Sequence, residues 1–141
     1  LKWEVILPKT EIRNYSPVTA SSKKVERKKQ LYRKLRKAIG KDLSKIKKLS
    51  INKPLTIDVR YYLLESSESG KSKKDLDNLL KILFDVLSVN MLNGQDPLKG
   101  LGFMKDDTYV YKIKCEKKEN SRNREGFDLK ISRGICQVHI W

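Results

Sequence analysis

The sequence predicts a single α+β domain, residues 1–141, with a mixed sheet of about four strands packed against two main helices. Three observations predict it. Residues 55–63 alternate strictly between apolar and polar, the period of a half-buried strand. Two longer stretches carry apolar residues at helical spacing instead. With 141 residues, 38% of them hydrophobic, and no internal repeat, the chain suits one core.

At the start, Trp3, Val5 and Leu7 alternate with Lys2, Glu4 and Ile6 up to Pro8, which predicts a short strand followed by a polar loop from Lys9 to Ala20. From Ser22, the positions Val25, Tyr32, Leu35, Ile39, Leu43 and Ile46 form a narrow helical stripe that Gly40 interrupts or ends. Asn52-Lys53-Pro54 punctuates the chain before the strand in which Leu55, Ile57, Val59, Tyr61 and Leu63 share one face. Glu65 to Lys74 has no apolar residue and reads as an exposed connection to Asp75. The next segment, Asp75 to Val89, places Leu76, Leu79, Leu80, Leu83 and Leu87 on one helix face, with Asp75 suited to cap its start. Asp77, Lys81 and Asp85 follow at i, i+4 steps on the other face. Asn90 to Lys105 reads as a loop, Tyr109 to Cys115 as a strand, and Leu129 and Ile131 with Cys136, Val138 and Ile140 as a final strand or bulged pair.

Charge narrows the partner class. Lys and Arg number 32 against 17 Asp and Glu, a net +15. Between Ser21 and Ser50 thirteen basic residues face only Glu26 and Asp42, so this stretch carries +11 of that total. So dense a basic surface attracts a polyanion and releases its counterions, which favours nucleic acid, although a solvated Lys-rich helix or a patch on anionic lipid has the same composition. No run is long and apolar enough for a membrane span or a signal sequence, so a soluble, unsecreted chain is expected. Cys115 and Cys136 lack metal-type spacing and read as reduced thiols, in keeping with a cytoplasmic location.

The chemistry left open is that of carboxylates. His139 is the only histidine and sits in a terminal strand-like segment, so serine and cysteine triads have little support; no Gly-rich phosphate cradle is present either. Asp75-Leu76-Asp77 and Asp106-Asp107 stand at a helix start and at a loop-to-strand junction. Hard cations such as Mg²⁺ take oxygen ligands from a few carboxylates and leave positions open for water and phosphate. Such an ion polarises a phosphodiester and acidifies water, so no histidine base is required. Lys81, one turn beyond Asp77, lies where it can offset charge on the leaving oxygen. Each piece also has a plain structural reading: Asp75 or Asp77 as an N-cap, Asp77 with Lys81 as a surface pair, and Asp106-Asp107 as a turn.

The string Lys74-Asp75-Leu76-Asp77-Asn78-Leu79-Leu80-Lys81, followed by Phe84-Asp85-Val86-Leu87 and later by Asp106-Asp107-Thr108-Tyr109-Val110, resembles the signature of the RusA family of Holliday-junction resolvases. The close match covers about a quarter of the chain; the order of elements agrees over most of it. The resemblance implies that Asp75, Asp77 and Asp107 are metal-binding catalytic carboxylates, that Lys81 is the catalytic lysine, and that Asp106 supports them. It implies Mg²⁺ or Mn²⁺ as cofactor, four-way or branched DNA as substrate, paired symmetric nicks, a homodimer, and a place with the nucleoid. Lys71, Lys73 and Lys74, with Lys23, Lys24 and Arg27 of the basic stretch, are the expected DNA contacts. The chain departs from the family in its longer 90–105 loop, which leaves the spacing of Asp77 and Asp107 unset, and in lacking a Pro-Pro-Ser-like run near Pro8. A non-enzymatic basic module binding DNA or RNA, and a general metal-dependent nuclease cutting linear DNA as readily, are the competing readings.

Overall fold

The computed structural model describes residues 2–15, 24–63, 76–91, 99–119 and 125–135. The elements run β1 (Lys2–Arg13), α1 (Lys24–Ile39), α2 (Leu43–Ser50), β2 (Leu55–Leu63), α3 (Leu76–Leu87), β3 (Val110–Glu119) and β4 (Gly126–Ile135). The four strands form one sheet in the order β1-β4-β2-β3. It is mixed, because β2 and β3 run parallel while β4 is antiparallel to both β1 and β2. Parallel neighbours need a crossover, and α3 lies within it.

Alternation sorts the sheet into two faces. On one, Ile57, Val59 and Tyr61 of β2 stand beside Ile131, Leu129 and Phe127 of β4, all buried at 2% exposure or less. They pack with Leu31, Leu35 and Ile39 of α1 and with Leu79, Leu83 and Leu87 of α3. Each such side chain contributes about 1.5–3 kcal/mol on burial, so this layer dominates the stability of the fold. The other face carries Asp58, Arg60 and Tyr62 of β2 beside Lys130, Asp128 and Gly126 of β4. Tyr62 donates to Asp128 Oδ2 at 2.9 Å and Lys9 lies 3.5 Å from the same oxygen, which keeps that buried carboxylate paired.

Two segments, the first strand and residues 99–104, differ from the expectation. The first strand does not stop at Pro8: β1 continues to Arg13, with register shifts between Val5 and Leu7 and between Leu7 and Thr10. Proline has no N–H to give a ladder, and an edge strand with an irregular register tolerates it. The stripe from Val25 to Ile46 is interrupted at Gly40 as the sequence predicts, forming two helices joined by a single 3-10 turn at Gly40–Asp42, where Gly40 adopts φ +63°. The described part of the 90–105 loop is not a surface excursion. Residues 99–104 lie along the end of α3, with Leu101, Phe103 and Met104 buried. Cys136, Val138, His139 and Ile140, expected in or near the last strand, fall outside the described residues. Among the described residues no helix is long and apolar enough to cross a membrane.

Candidate active site

Leu79, Leu80, Leu83 and Leu87 of α3 are buried, as the spacing predicts, but so are Ile82, Phe84 and Val86, because α1 also packs against α3 and the strap of residues 99–104 closes over its last turn. Among the described polar side chains of α3, Asp77, Lys81 and Asp85 form an outward stripe, and its members differ. Asp85 is half-buried and lies 2.7 Å from the ammonium of Lys28, which also donates to the Met91 carbonyl at 3.1 Å. Lys28 is 5% exposed, so the basic stretch loses this charge to the interior. Asp77 and Lys81 are exposed, and among the described residues no hydrogen bond or ion pair engages either side chain. The helix therefore presents a carboxylate and an ammonium one turn apart.

Asp77 stands at the end of the crossover where β2 and β3 finish. Tyr61, late in β2, donates to the Leu79 carbonyl at 3.3 Å and so pins the first turn of α3 there. Cys115, midway along β3, reports the same neighbourhood: burial, then the charges of Asp58, Asp77 and Glu116, push its thiol up to about 11. The thiol stays protonated and unreactive at neutral pH.

Asp107 stands at the opposite end. The strap returns along the last turn of α3 through hydrogen bonds from Leu101 N to Val86 O at 2.8 Å, Phe103 N to Leu87 O at 2.9 Å and Val89 N to Met104 O at 2.9 Å. The first two engage carbonyls that a helix end otherwise leaves unpaired. Gly100 makes the approach feasible, since a Cβ there would sit 2.0 Å from the Ser88 carbonyl oxygen. The strap delivers the chain to Asp106, which caps the 3-10 turn Asp107–Tyr109. Asp106 accepts from the Thr108 hydroxyl and from the Thr108 backbone N–H at 3.0 Å, and these bonds hold its carboxyl below the usual range. Asp106 is held in this cap, while the side chain of Asp107 is exposed.

A twelve-residue helix spans about 18 Å, so Asp77 on its first turn and Asp107 beyond its last are separated by roughly that length. Within one chain the two do not converge, and among the described residues no group of three His, Cys, Asp or Glu side chains could hold a metal ion. Asp75 lies outside the described residues, as do Lys23, Lys71, Lys73 and Lys74; of Lys24 only the backbone is described. Arg27 is half-buried and reaches Gln30 Oε1 at 3.3 Å. The exposed cations of the basic stretch are Arg33, Arg36 and Lys37 on α1, Lys41 in the turn, and Lys45, Lys47 and Lys48 on α2. Lys47 packs beside Gly102 of the strap, which puts α2 at the Asp107 end of the molecule.

Sequence reasoning missed the role of Lys28. The step of seven between Val25 and Tyr32 leaves a vacant position on the helical stripe, and Lys28 fills it.

The family model for endodeoxyribonuclease RusA matches residues 8–131. The chain belongs to the RusA family. Among curated proteins none matches it. Membership makes it a nuclease of the Holliday-junction-resolving, DNA-binding class and agrees with the α+β sheet described above. The RusA match spans both Asp77 and Asp107, together with the strap between them.

Proposed function

We propose that this RusA-family chain resolves four-way DNA junctions as a homodimer, by paired symmetric nicks that depend on Mg²⁺ or Mn²⁺. Asp75 and Asp77 of one chain and Asp107 of the other would hold the ion. The observation that carries this reading is the contrast on α3: Asp85 is neutralised by Lys28, whereas Asp77 and Lys81 remain exposed and unengaged. Carboxylate oxygens are the donors a hard divalent cation takes, and they suit Mg²⁺ or Mn²⁺ better than a softer metal. When bound, that cation supplies Lewis-acid polarisation of a phosphodiester. Lys81 faces outward beside Asp77 and would bind the phosphate and offset negative charge as it grows on the leaving oxygen.

The opposite placement of Asp77 and Asp107 favours a site shared between two chains, since a two-fold axis can join two ends that one chain keeps apart. The same axis pairs the two cuts that a junction requires. Exposed cations of α1 and α2, with Lys71, Lys73, Lys74, Lys23, Lys24 and Arg27, would hold phosphates in a salt-sensitive, largely sequence-independent way. A cytoplasmic, nucleoid-associated location goes with that substrate.

The test is nicking of a synthetic four-way junction and of a linear duplex, with Mg²⁺ and with EDTA. Asp77→Asn should abolish nicking and retain junction binding. Mixing Asp77→Asn with Asp107→Asn chains should restore cutting, because mixed dimers contain one intact shared site. Undiminished cutting by Asp77→Asn would sink the carboxylate assignment, and equal cutting of linear duplex would make the protein a general nuclease.

A further inference from the structure

We propose that Lys28, buried in α1, is a positioning residue for the nuclease reaction: by holding Asp85 it keeps the Lys81 ammonium free for a DNA phosphate. The role rests on the reading of Lys81 given above and adds the device that maintains it.

Asp77, Lys81 and Asp85 follow one another at i, i+4 steps, so Lys81 has a carboxylate one turn away on either side. Asp77 has a use as a metal ligand. Asp85 has none of that kind, and its charge is badly placed. It lies in the last turn of α3, where the helix dipole is negative and the helix has no basic residue. Lys81 is the one basic residue of α3, so its ammonium is the countercharge that the helix itself offers to Asp85. A lysine drawn one turn toward the C-terminus is drawn away from Asp77 and from a phosphate beside it.

Lys28 prevents this from the neighbouring helix. Its Nζ lies 2.7 Å from Asp85 Oδ2 and donates to the Met91 carbonyl at 3.1 Å. The side chains are 6% exposed for Lys28 and 34% for Asp85, so the pair is largely taken out of water. A short ion pair at that depth holds its carboxylate more firmly than an exposed i, i+4 pair does. Asp85 therefore goes to Lys28, and Lys81 stays exposed with no described side chain engaging it.

The position of Lys28 asks for such a use. With Leu31, Leu35 and Ile39 it lies on the face that α1 buries. A methionine there would pack without burying a charge, and replacing a buried ion by an apolar side chain costs little only if its partner is also satisfied. A plain staple between α1 and α3 is the competing explanation. The two differ in what repairs the loss of Lys28.

The experiment uses the full chain and a synthetic four-way junction, with single-turnover nicking in Mg²⁺ and binding measured in EDTA at several salt concentrations. Denaturant unfolding of each variant allows rates to be expressed per folded molecule. Lys28→Met should slow nicking about three- to tenfold, between the effect of an exposed helix pair and that of a partly desolvated one. It should also lower the salt slope of junction binding by up to about one, the loss of one phosphate contact. Adding Asp85→Asn to Lys28→Met should restore both, although no cation returns between the helices. Asp85→Asn alone should nick at the wild-type rate, whereas a staple broken at either partner slows nicking alike. In a Lys81→Ala background Lys28→Met should change nothing further, because the group it acts through is gone. Wild-type nicking by Lys28→Met, or slow nicking that Asp85→Asn does not repair, overturns the role of Lys28 and leaves Lys81 in place. Wild-type nicking by Lys81→Ala overturns the reading of Lys81 and this role with it.

Discussion

The two ends of the β2-α3-β3 crossover carry the same chemical group on different supports. Asp77 rides on the first turn of a helix anchored by the buried Leu79, Leu80 and Leu83, so its direction follows from helical geometry alone. Asp107 sits in a 3-10 turn whose position is set by a strap hydrogen-bonded to the last turn of that helix. The difference teaches that a carboxylate can be read from a local motif while its place in a site depends on a distant contact. It also places the two halves of one proposed site where only a second molecule can unite them.

The largest effect expected is on cutting. Asp77→Asn and Asp107→Asn should each lower junction nicking by on the order of 100-fold or more, the scale of removing a group that meets charge in the transition state. If Asp77→Asn is inactive and Asp107→Asn is not, the two ends are not equivalent and the shared site fails. Next is the strap. Gly100→Ala drives a Cβ into the Ser88 and Val86 carbonyls, and must shift backbone by more than a side chain can absorb. A loss of about 3 kcal/mol in denaturant unfolding, with nicking reduced in the fraction that stays folded, is expected.

Asp85 sharpens the contrast along α3 itself. Asp85→Ala leaves the Lys28 ammonium buried with only the Met91 carbonyl, and should cost about 3 kcal/mol, lessened where water reaches the vacated side. Asp77→Ala should stay within about 0.5 kcal/mol of wild type in the same measurement, because its carboxylate supports no packing. Equal destabilisation would mean that Asp77 is a structural residue after all. The smallest effect is at Asp106, whose folded-state pKa is depressed, chiefly by the Thr108 hydroxyl. Its contribution is present above the ordinary carboxylate pKa and is lost as pH falls through the lower folded value. Acid unfolding curves of Asp106→Ala and wild type should therefore differ slightly at neutral pH and converge at strongly acid pH.

Much of this fold was legible because period and composition act locally. The alternation of residues 55–63 became β2, and the leucine spacing of residues 76–87 became α3 with Asp77 and Lys81 outward. What escaped depended on contacts between distant segments. Pro8 looked like a stop, but pairing with β4 carried β1 past it. Residues 99–104 looked like loop, yet Leu101, Phe103 and Met104 are buried, in a segment hydrogen-bonded to the end of α3. Lys28 looked like one more basic residue, until Asp85 and Met91 came within hydrogen-bond reach.

The order of residues alone determined the element types, the acidic motif of the RusA family and the basic character of the surface, since each is a property of near neighbours or of totals. Tertiary structure decided which charges are exposed, that Asp85 is taken by Lys28, and that Asp77 and Asp107 lie a helix length apart. The reason is physical. Burial, ion pairing and the direction of a crossover depend on which segments meet, and that meeting is settled only when strands pair and a core closes.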